Sequence, residues 1–200
     1  MAYPTVDAPY GLIPINLIGG QPYAGSTRQI TIASGYNTNI FFGDVVKRVA
    51  DATLEKDTGT STTATTGVIG VFMGCTFTDP NTNTKTFKQF YPANTAASDI
   101  KAYVADDPNT LYKVAVVSSG TTIGDLAITD IGANVAGVDN TGSTVTGNSA
   151  SAISDTSATT ATLPFRIVEL VEETKNSSGG FTEAYVKWNA GHAFDNTTGV

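Results

Sequence analysis

The sequence holds few residues that could perform nucleophilic or acid–base chemistry. Its single histidine, His192, follows Gly191 in a terminal tail, and its single cysteine, Cys75, lies in an apolar run. A Ser-His-Asp triad would have to use His192, whose position is typical of a surface or packing histidine. A reactive cysteine needs a nearby base or helix N-terminus, which nothing indicates here, so Cys75 is predicted to be a small buried hydrophobe. We therefore expect no catalytic residues and no enzyme activity.

The adjacent carboxylates Asp106 and Asp107 are the strongest candidates for acid–base or metal chemistry. Neighbouring residues of a strand point to opposite sides, so the two cannot form a facing pair. Followed by Pro108 and Asn109, they predict an Asx-type turn. The alternative is a calcium site with Asp106, Asp107 and Asn109 as oxygen ligands, although the spacing is not that of an EF-hand. No nucleotide-binding glycine motif is present, and we predict no cofactor and no metal.

Composition excludes several classes of protein. Charged residues make up 14% of the 200 positions, threonine alone takes 32 of them, and the formal net charge is −7. Nucleic-acid binding requires basic stripes, and the longest basic cluster is Lys47-Arg48, so neither nucleic acid nor an anionic membrane is an expected partner. No apolar run is long enough for a membrane span. The N-terminus lacks the features of a signal peptide, and we expect the protein to be made in a cytoplasm.

Strand and turn signals dominate the chain. Thr favours strands, whereas Gly, Asn and Ser favour turns, and helix formers are scarce. We expect the alternating segments to form antiparallel sheets with one face in solvent. Residues 99–105 and 111–117 are predicted to form a hairpin around the acidic turn. An all-β fold, an antiparallel barrel or a sandwich, is predicted. The predicted strands are 29–33, 39–49, 67–78, 85–91, 99–105, 111–117, 162–173 and 181–188. Gly43-Asp44 predicts a turn or bulge within 39–49, after which a short helix from Val45 is the alternative to a strand. Residues 67–78 form either a pair of strands or one bulged strand, with kinks at Gly70 and Gly74.

The segment between Lys113 and Arg166 differs from the rest. It contains no Lys, Arg or Glu and no aromatic residue before Phe165. Such a stretch cannot build its own core, so it either lies over the aromatic-rich half or projects as a loop. Apolar residues such as Ile128 and Val135 favour the first alternative for 123–138. Both alternatives stay open for the Thr/Gly/Ser-rich residues 139–162.

Residues 1–27 predict an extended N-terminal arm ahead of a single β-rich domain, 28–200. Four prolines forbid a continuous helix, yet the segment is richer in apolar residues than a free tail. The arm packs either on its own domain or on a neighbouring subunit. The candidate partner-binding residues of the arm are Tyr3, Pro9, Tyr10, Leu12, Ile13, Ile15, Leu17, Ile18 and Tyr23.

Several short patterns together resemble one family. They are Ala8-Pro9-Tyr10-Gly11-Leu12, Gly19-Gly20, Tyr23-Ala24-Gly25, Ile30-Thr31-Ile32, Ile40-Phe41-Phe42-Gly43-Asp44-Val45-Val46, Val68-Ile69-Gly70-Val71 with Gly74-Cys75, Tyr103-Val104-Ala105-Asp106-Asp107-Pro108, and Leu163-Pro164-Phe165-Arg166-Ile167 before Leu170-Val171. This set is similar to that of small virion structural proteins of tailed, often marine, bacteriophages, of the capsid decoration or cement type. The patterns touch most of the chain, but they are turn and strand patterns and carry no catalytic signature.

The resemblance implies a non-enzymatic protein on the outer surface of a capsid. Its expected partners are the major capsid protein of the same phage, across neighbouring capsomers, and further copies of itself, with a trimer favoured. A tail or baseplate component is the alternative. A carbohydrate-binding module would need exposed aromatic residues, for which Tyr112 and Tyr185 are the candidates. A major capsid protein would need a long helix that the sequence does not predict.

Overall fold

The computed structural model describes residues 8–58, 67–174 and 181–195. The predicted all-β fold is confirmed, as a closed five-stranded barrel with a second sheet. In the described part of the chain the helical element is a single 3-10 turn, Ile128–Asp130. In chain order the strands are β1 (Ile13–Leu17), β2 (Arg28–Thr31), β3 (Val45–Arg48), β4 (Leu54–Lys56), β5 (Val68–Thr78), β6 (Lys85–Lys88), β7 (Lys101–Ala105), β8 (Thr110–Ser119), β9 (Thr122–Ile123), β10 (Asn134–Val138), β11 (Ala152–Ala158), β12 (Phe165–Leu170) and β13 (Glu183–Trp188).

The barrel runs β8-β11-β10-β12-β13 and returns to β8. Its pairs are antiparallel except the one that joins β11 to β8, where Ile153 lies opposite Val116 in parallel. Strands β1 and β9 also pair with β8 but are not part of the five-stranded ring. Closure removes the free edges that an open sheet would present to other chains.

Large side chains fill the barrel because its strands alternate inward and outward. On β12, Phe165 and Ile167 are buried and Arg166 is exposed, as the sequence predicts. A bulge between Ile167 and Glu169 then shifts the register, so that Leu170 is buried and Glu169 exposed. One extra residue in a strand reverses the side of the sheet to which the following side chains point.

The second sheet has the order β2-β7-β5-β3-β4, and β6 pairs with the far part of β5. Strand β5 is buried on both faces: Val68 and Val71 join the barrel core, while Ile69 and Phe72 join a second core beyond the sheet. The predicted kinks are confirmed, since the β5 register shifts beside Gly70 and across Gly74. A β-carbon on Gly70 would lie 2.0 Å from Ala105 O, so this position requires glycine.

One prediction about pairing is wrong. The strands 99–105 and 111–117 do not form a hairpin, because β7 belongs to the second sheet and β8 to the barrel. The acidic turn between them is thus the corner where the chain passes from one sheet to the other. The predicted antiparallel pairing holds for the strand pairs of both sheets apart from β8 and β11, which are parallel.

The low-charge segment lies over the aromatic-rich half rather than forming one projecting loop. Residues 123–138 contribute β10, whose Val135 is buried, although Ile128 is 64% exposed. Within 139–162, β11 is a strand of the barrel, and the loop before it packs against the second sheet. Small side chains suit this position because Phe165 and Trp188 fill the interior from the opposite strands.

Residues 9–23 of the predicted arm contact their own domain. Strand β1 pairs with β8, the Gly11 amide donates to Ser151 O, and Leu12 is 1% exposed within the barrel core. Of the two alternatives for the arm, packing on its own domain therefore holds for this part. Residues 1–7 lie outside the described residues.

Candidate functional site at the junction of the two sheets

His192 is a packing histidine. Its side chain is 1% exposed, and its ring lies between those of Trp188 and Phe194, with centroids 5.6 Å from each. Burial lowers its pKa below the ordinary value of 6.5. The imidazole is thus a neutral part of an aromatic stack that continues to Phe165, 4.8 Å from Trp188.

Cys75 is buried in the second core, which confirms the prediction for this residue. Its thiol lies 3.7 Å from Phe90 O. Burial raises the pKa of the thiol to about 12, so the nucleophilic thiolate is scarce at neutral pH.

The Asp106–Asn109 corner is held by its own carboxylates. The Asn109 amide donates to Asp107 Oδ1 at 2.8 Å, the predicted Asx turn, and Asp106 forms an ion pair with Arg28. The Arg28 guanidinium also lies over the Phe194 ring, 5.1 Å from its centroid. Within the described ranges no group of three or more His, Cys, Asp or Glu side chains could hold a metal ion.

Neither aromatic residue proposed for a carbohydrate face is fully exposed. Tyr112 is 0% exposed inside the barrel, where its hydroxyl donates to Ala105 O at 3.2 Å, so the prediction of a surface position was wrong. Tyr185 is half-buried. The face of β8 that carries Tyr112 points into the barrel, where the ring packs on Trp188 with centroids 5.8 Å apart. Strand β13, which brings Trp188, lies far away in sequence.

The described residues of the predicted partner surface are mostly covered. Pro9 and Leu12 are buried, and Ile18, at 46%, is the exposed one among the described members of the set. Tyr3 lies outside the described residues. Half-buried positions are Tyr10, Ile13, Ile15, Leu17 and Tyr23.

A buried ionic cluster joins the two sheets. Its members are Asp44 and Lys56 of the second sheet and Asp139 of the loop that follows β10. Lys56 Nζ lies 2.9 Å from Asp139 Oδ1 and 3.4 Å from Asp44 Oδ2. Asp44 is 0% exposed and Lys56 is 7% exposed, so these charges have been removed from water.

Four hydrogen bonds and ion contacts hold the Asp44 carboxylate. Oδ1 accepts from Ser149 Oγ at 2.5 Å and from Ser151 Oγ at 3.2 Å, and Oδ2 accepts from the Phe41 amide at 2.8 Å as well as facing Lys56. Burial raises the pKa of Asp44, and the Lys56 charge and the donors oppose that rise. For Lys56, burial alone would lower the pKa, but attraction to Asp44 and the hydrogen bond to Asp139 outweigh it and raise the pKa.

Backbone contacts surround this cluster. The turn at Gly43 accepts from the Leu12 amide at 3.0 Å, and the Phe42 amide donates to Gly147 O at 3.0 Å. The Ser149 amide returns a bond to Phe42 O at 2.9 Å. A β-carbon on Gly11 would lie 3.0 Å from Gly43 Cα, so the arm, the Gly43 turn and the loop 142–151 meet at close quarters.

A second set of polar contacts, centred on Glu183, holds Tyr10 of the arm. The Tyr10 hydroxyl donates to Glu183 Oε1, and Lys113 Nζ lies 2.9 Å from Glu183 Oε2. Burial and the bond to Glu183 raise the pKa of Tyr10, so its hydroxyl stays protonated. Glu183, 3% exposed, is thereby paired on both oxygens.

The Asp44–Lys56–Asp139 cluster was not predicted from the sequence. Gly43-Asp44 was predicted as a turn or bulge, which is confirmed, but a single carboxylate within an apolar run also indicates a buried partner. The partner could not be found, because the three residues lie on separate segments of the chain.

In comparisons with known proteins, no family model, no curated protein and no solved structure matches the chain. Among the described residues, no helix has the length and apolarity that crossing a membrane requires.

Proposed function

We propose that this protein is a non-enzymatic structural component of a bacteriophage virion, which decorates the outer capsid surface and cements it by binding the major capsid protein across neighbouring capsomers. One observation carries the proposal beyond the sequence resemblance. The patterns of that resemblance that contain Gly11, Gly43-Asp44 and Gly70 meet where the two sheets join. These residues therefore hold the two sheets together, and such a role for the residues that carry the resemblance supports a structural protein.

The residues that could do chemistry are engaged in packing, which also supports a structural role. His192 is stacked between aromatic rings, Cys75 is in the core, and Asp106 is paired with Arg28.

The surface offers apolar contact points for assembly. Ile123, Ile128 and Ile131 lie in one segment of the barrel and are 46%, 64% and 41% exposed. Val145, at a loop tip, is 94% exposed. We assign these side chains to contact with the shell, and the net charge of −7 suits a surface facing away from packaged DNA.

Binding to empty shells tests the proposal. Purified protein is mixed with cognate shells that lack it and sedimented, and the bound copies are counted per capsomer. Saturable binding at a fixed ratio, with a raised melting temperature of the shell, is expected. Ile128→Asp provides a surface variant that should weaken binding, with Thr129→Ser beside it as the conservative control.

A tail or baseplate component is the competing function, and it shares the fold and the exposed apolar groups. Absence of shell binding, together with recovery of the protein in purified tails, would replace the capsid proposal by this one. Sedimentation velocity of the free protein tests the expected homo-oligomer, for which a trimer is favoured.

A further inference from the structure

The buried Lys56 amine lies against two carboxylates in a setting that suits amide formation. Nζ is 2.9 Å from Asp139 Oδ1 and 3.4 Å from Asp44 Oδ2, and Ser151 Oγ lies within 3.4 Å of both carboxylates. The ordinary alternative is a permanent buried ion pair. Such a pair needs only opposite charges, whereas this site sets two carboxylates beside one amine and gives them different environments.

We propose that Lys56 and Asp139 form an intramolecular isopeptide bond, with Asp44 as the group that moves the proton. The Lys56 Nζ–Asp139 Cγ bond forms and a C–O bond of the Asp139 carboxyl breaks, so that one water molecule leaves. No electrons are transferred to or from the protein, and no co-reactant is needed.

The proton transfers follow from the positions of the three groups. Asp44 accepts a proton from the Lys56 ammonium, which frees the nitrogen lone pair to attack the Asp139 carboxyl carbon. A second proton leaves the nitrogen after the attack, and Asp44 passes both protons in turn to the Asp139 oxygen that leaves as water. The amide nitrogen keeps one hydrogen, and Asp44 returns to its starting state. Burial raises the pKa of Asp44, which favours its accepting the proton inside the cluster, whereas the two carboxylates raise the pKa of Lys56 and so lower the fraction of molecules in which this transfer has occurred.

Asp139 is the acceptor because its oxygen is the nearer one and because Asp44 is already committed. Both Asp44 oxygens accept hydrogen bonds, from Ser149, Ser151 and the Phe41 amide, which hold it as an intact carboxyl group. The Asp139 side chain is 21% exposed, which gives the released water a path out.

The loop that carries Asp139 is held in place. Asn140 Nδ2 donates to Gly120 O at 2.8 Å and to Ala150 O at 2.9 Å, on both sides of the loop. Reacting groups fixed in this way reach effective concentrations of about 10⁵ M or more. In water, hydrolysis of an amide to an amine and a carboxylate is normally favoured, and the high effective concentration outweighs that preference. Exclusion of water from the cluster acts in the same direction.

Mass spectrometry of the full-length, denatured protein tests the bond. The expected mass is lower than that of the sequence by one water molecule, and Lys56→Arg is expected to keep its full sequence mass. Trypsin should fail to cleave after Lys56 and should release peptide 49–85 joined to peptide 114–166. A full sequence mass with cleavage after Lys56 would overturn the proposal, as would a water loss without the joined peptides.

The exposed pair Lys85–Asp99, with atoms 2.7 Å apart, is the internal control for proximity alone. Both side chains are about half exposed, at 56% and 41%, so no bond is expected and trypsin should cleave after Lys85.

Two conservative variants separate the roles of the carboxylates. Asp139→Asn should still react, with loss of ammonia instead of water, and reach the same final mass as the unaltered protein. Asp44→Asn should keep its full sequence mass. The reverse pattern, with Asp44→Asn reaching the mass of the unaltered protein and Asp139→Asn unreacted, would overturn the assignment of Asp139 as acceptor.

Discussion

Lys56 of the second sheet and Asp139 of the barrel face each other at 2.9 Å, with Asp44 completing the cluster. This contact lies where the two sheets meet, and without the proposed bond it is an ion pair between a buried lysine and a half-buried aspartate. Asp44 and Lys56 belong to the hairpin of β3 and β4, where Val46 lies opposite Lys56, whereas Asp139 comes from the loop after β10. The three side chains can therefore meet only when both sheets have formed. The cluster therefore reports on the assembly of the whole domain.

Removing Asp44 should strongly destabilise the fold. Asp44→Ala leaves the Lys56 charge buried with one partner fewer and deprives Ser149, Ser151 and the Phe41 amide of their acceptor. A loss of about 3–5 kcal/mol is expected for breaking such a buried pair. Urea unfolding followed by fluorescence of Trp188 measures it.

Lys85→Ala is the control for that measurement, because it removes the exposed ion pair with Asp99 while the hydrogen bonds from Thr78 to Asp99 remain. Its unfolding midpoint should remain near that of the unaltered protein. Equal losses for the two variants would contradict the importance assigned to the buried cluster.

Gly70→Ala should destabilise the junction of β5 with the β7–β8 corner. The added β-carbon would lie 2.0 Å from Ala105 O, and the positive φ of 148° disfavours any other residue. We expect a loss of about 2–4 kcal/mol from overlap and strain. Gly19→Ala, where the β-carbon meets nothing within 4 Å, is the matched control; a thermal midpoint as low as that of Gly70→Ala would refute the steric argument.

The buried imidazole of His192 should make stability fall in mild acid. Because its pKa lies below 6.5 in the folded state, the unfolded chain binds a proton that the folded chain does not. The contribution is complete above pH 6.5 and is lost as the pH falls from there to the folded-state pKa. The raised pKa of Asp44 acts in the opposite sense, since its protonation favours the folded state.

The chain has one histidine, so a proton NMR titration of its ring measures this pKa directly. A value at or above 6.5 would contradict the buried, neutral imidazole. His192→Phe keeps an aromatic ring between Trp188 and Phe194, and between about pH 5 and pH 7 it should remove the acid-side loss of stability seen in the unaltered protein.

A buried and an exposed position of the arm should respond differently to substitution. Leu12→Ala removes a side chain of the barrel core and should cost about 2–5 kcal/mol of stability. Ile18→Asp alters an exposed position, so it should leave the unfolding midpoint nearly unchanged while weakening attachment to the shell. If both variants bind the shell as the unaltered protein does, the arm has no role in assembly.

Local signals in the sequence predicted the strands better than their partners. The alternation of 162–173 and 181–188 identified β12 and β13, and the glycines of 67–78 identified a kinked strand. The corner at Asp106–Asn109 was taken for a hairpin, because an Asx turn satisfies the backbone equally well when the following strand joins another sheet.

The parallel β8–β11 pair and the ionic cluster were out of reach for a related reason. Both depend on contacts between segments far apart in the chain, and neither has a short-range pattern of its own. Asp44 carried a detectable hint, a carboxylate within an apolar run, but Lys56 and Asp139 have ordinary polar neighbours. The prediction of a single buried Cys75 succeeded because it needed only the local run of apolar residues.

The location of the protein in the particle is the most direct test of the proposed function. Virions are disassembled, heads and tails are separated, and peptides of this chain are quantified in each fraction against the major capsid protein. The account predicts that the chain is found in the heads, at a fixed number of copies per capsomer. Recovery in the tails alone, or in neither fraction, would contradict it.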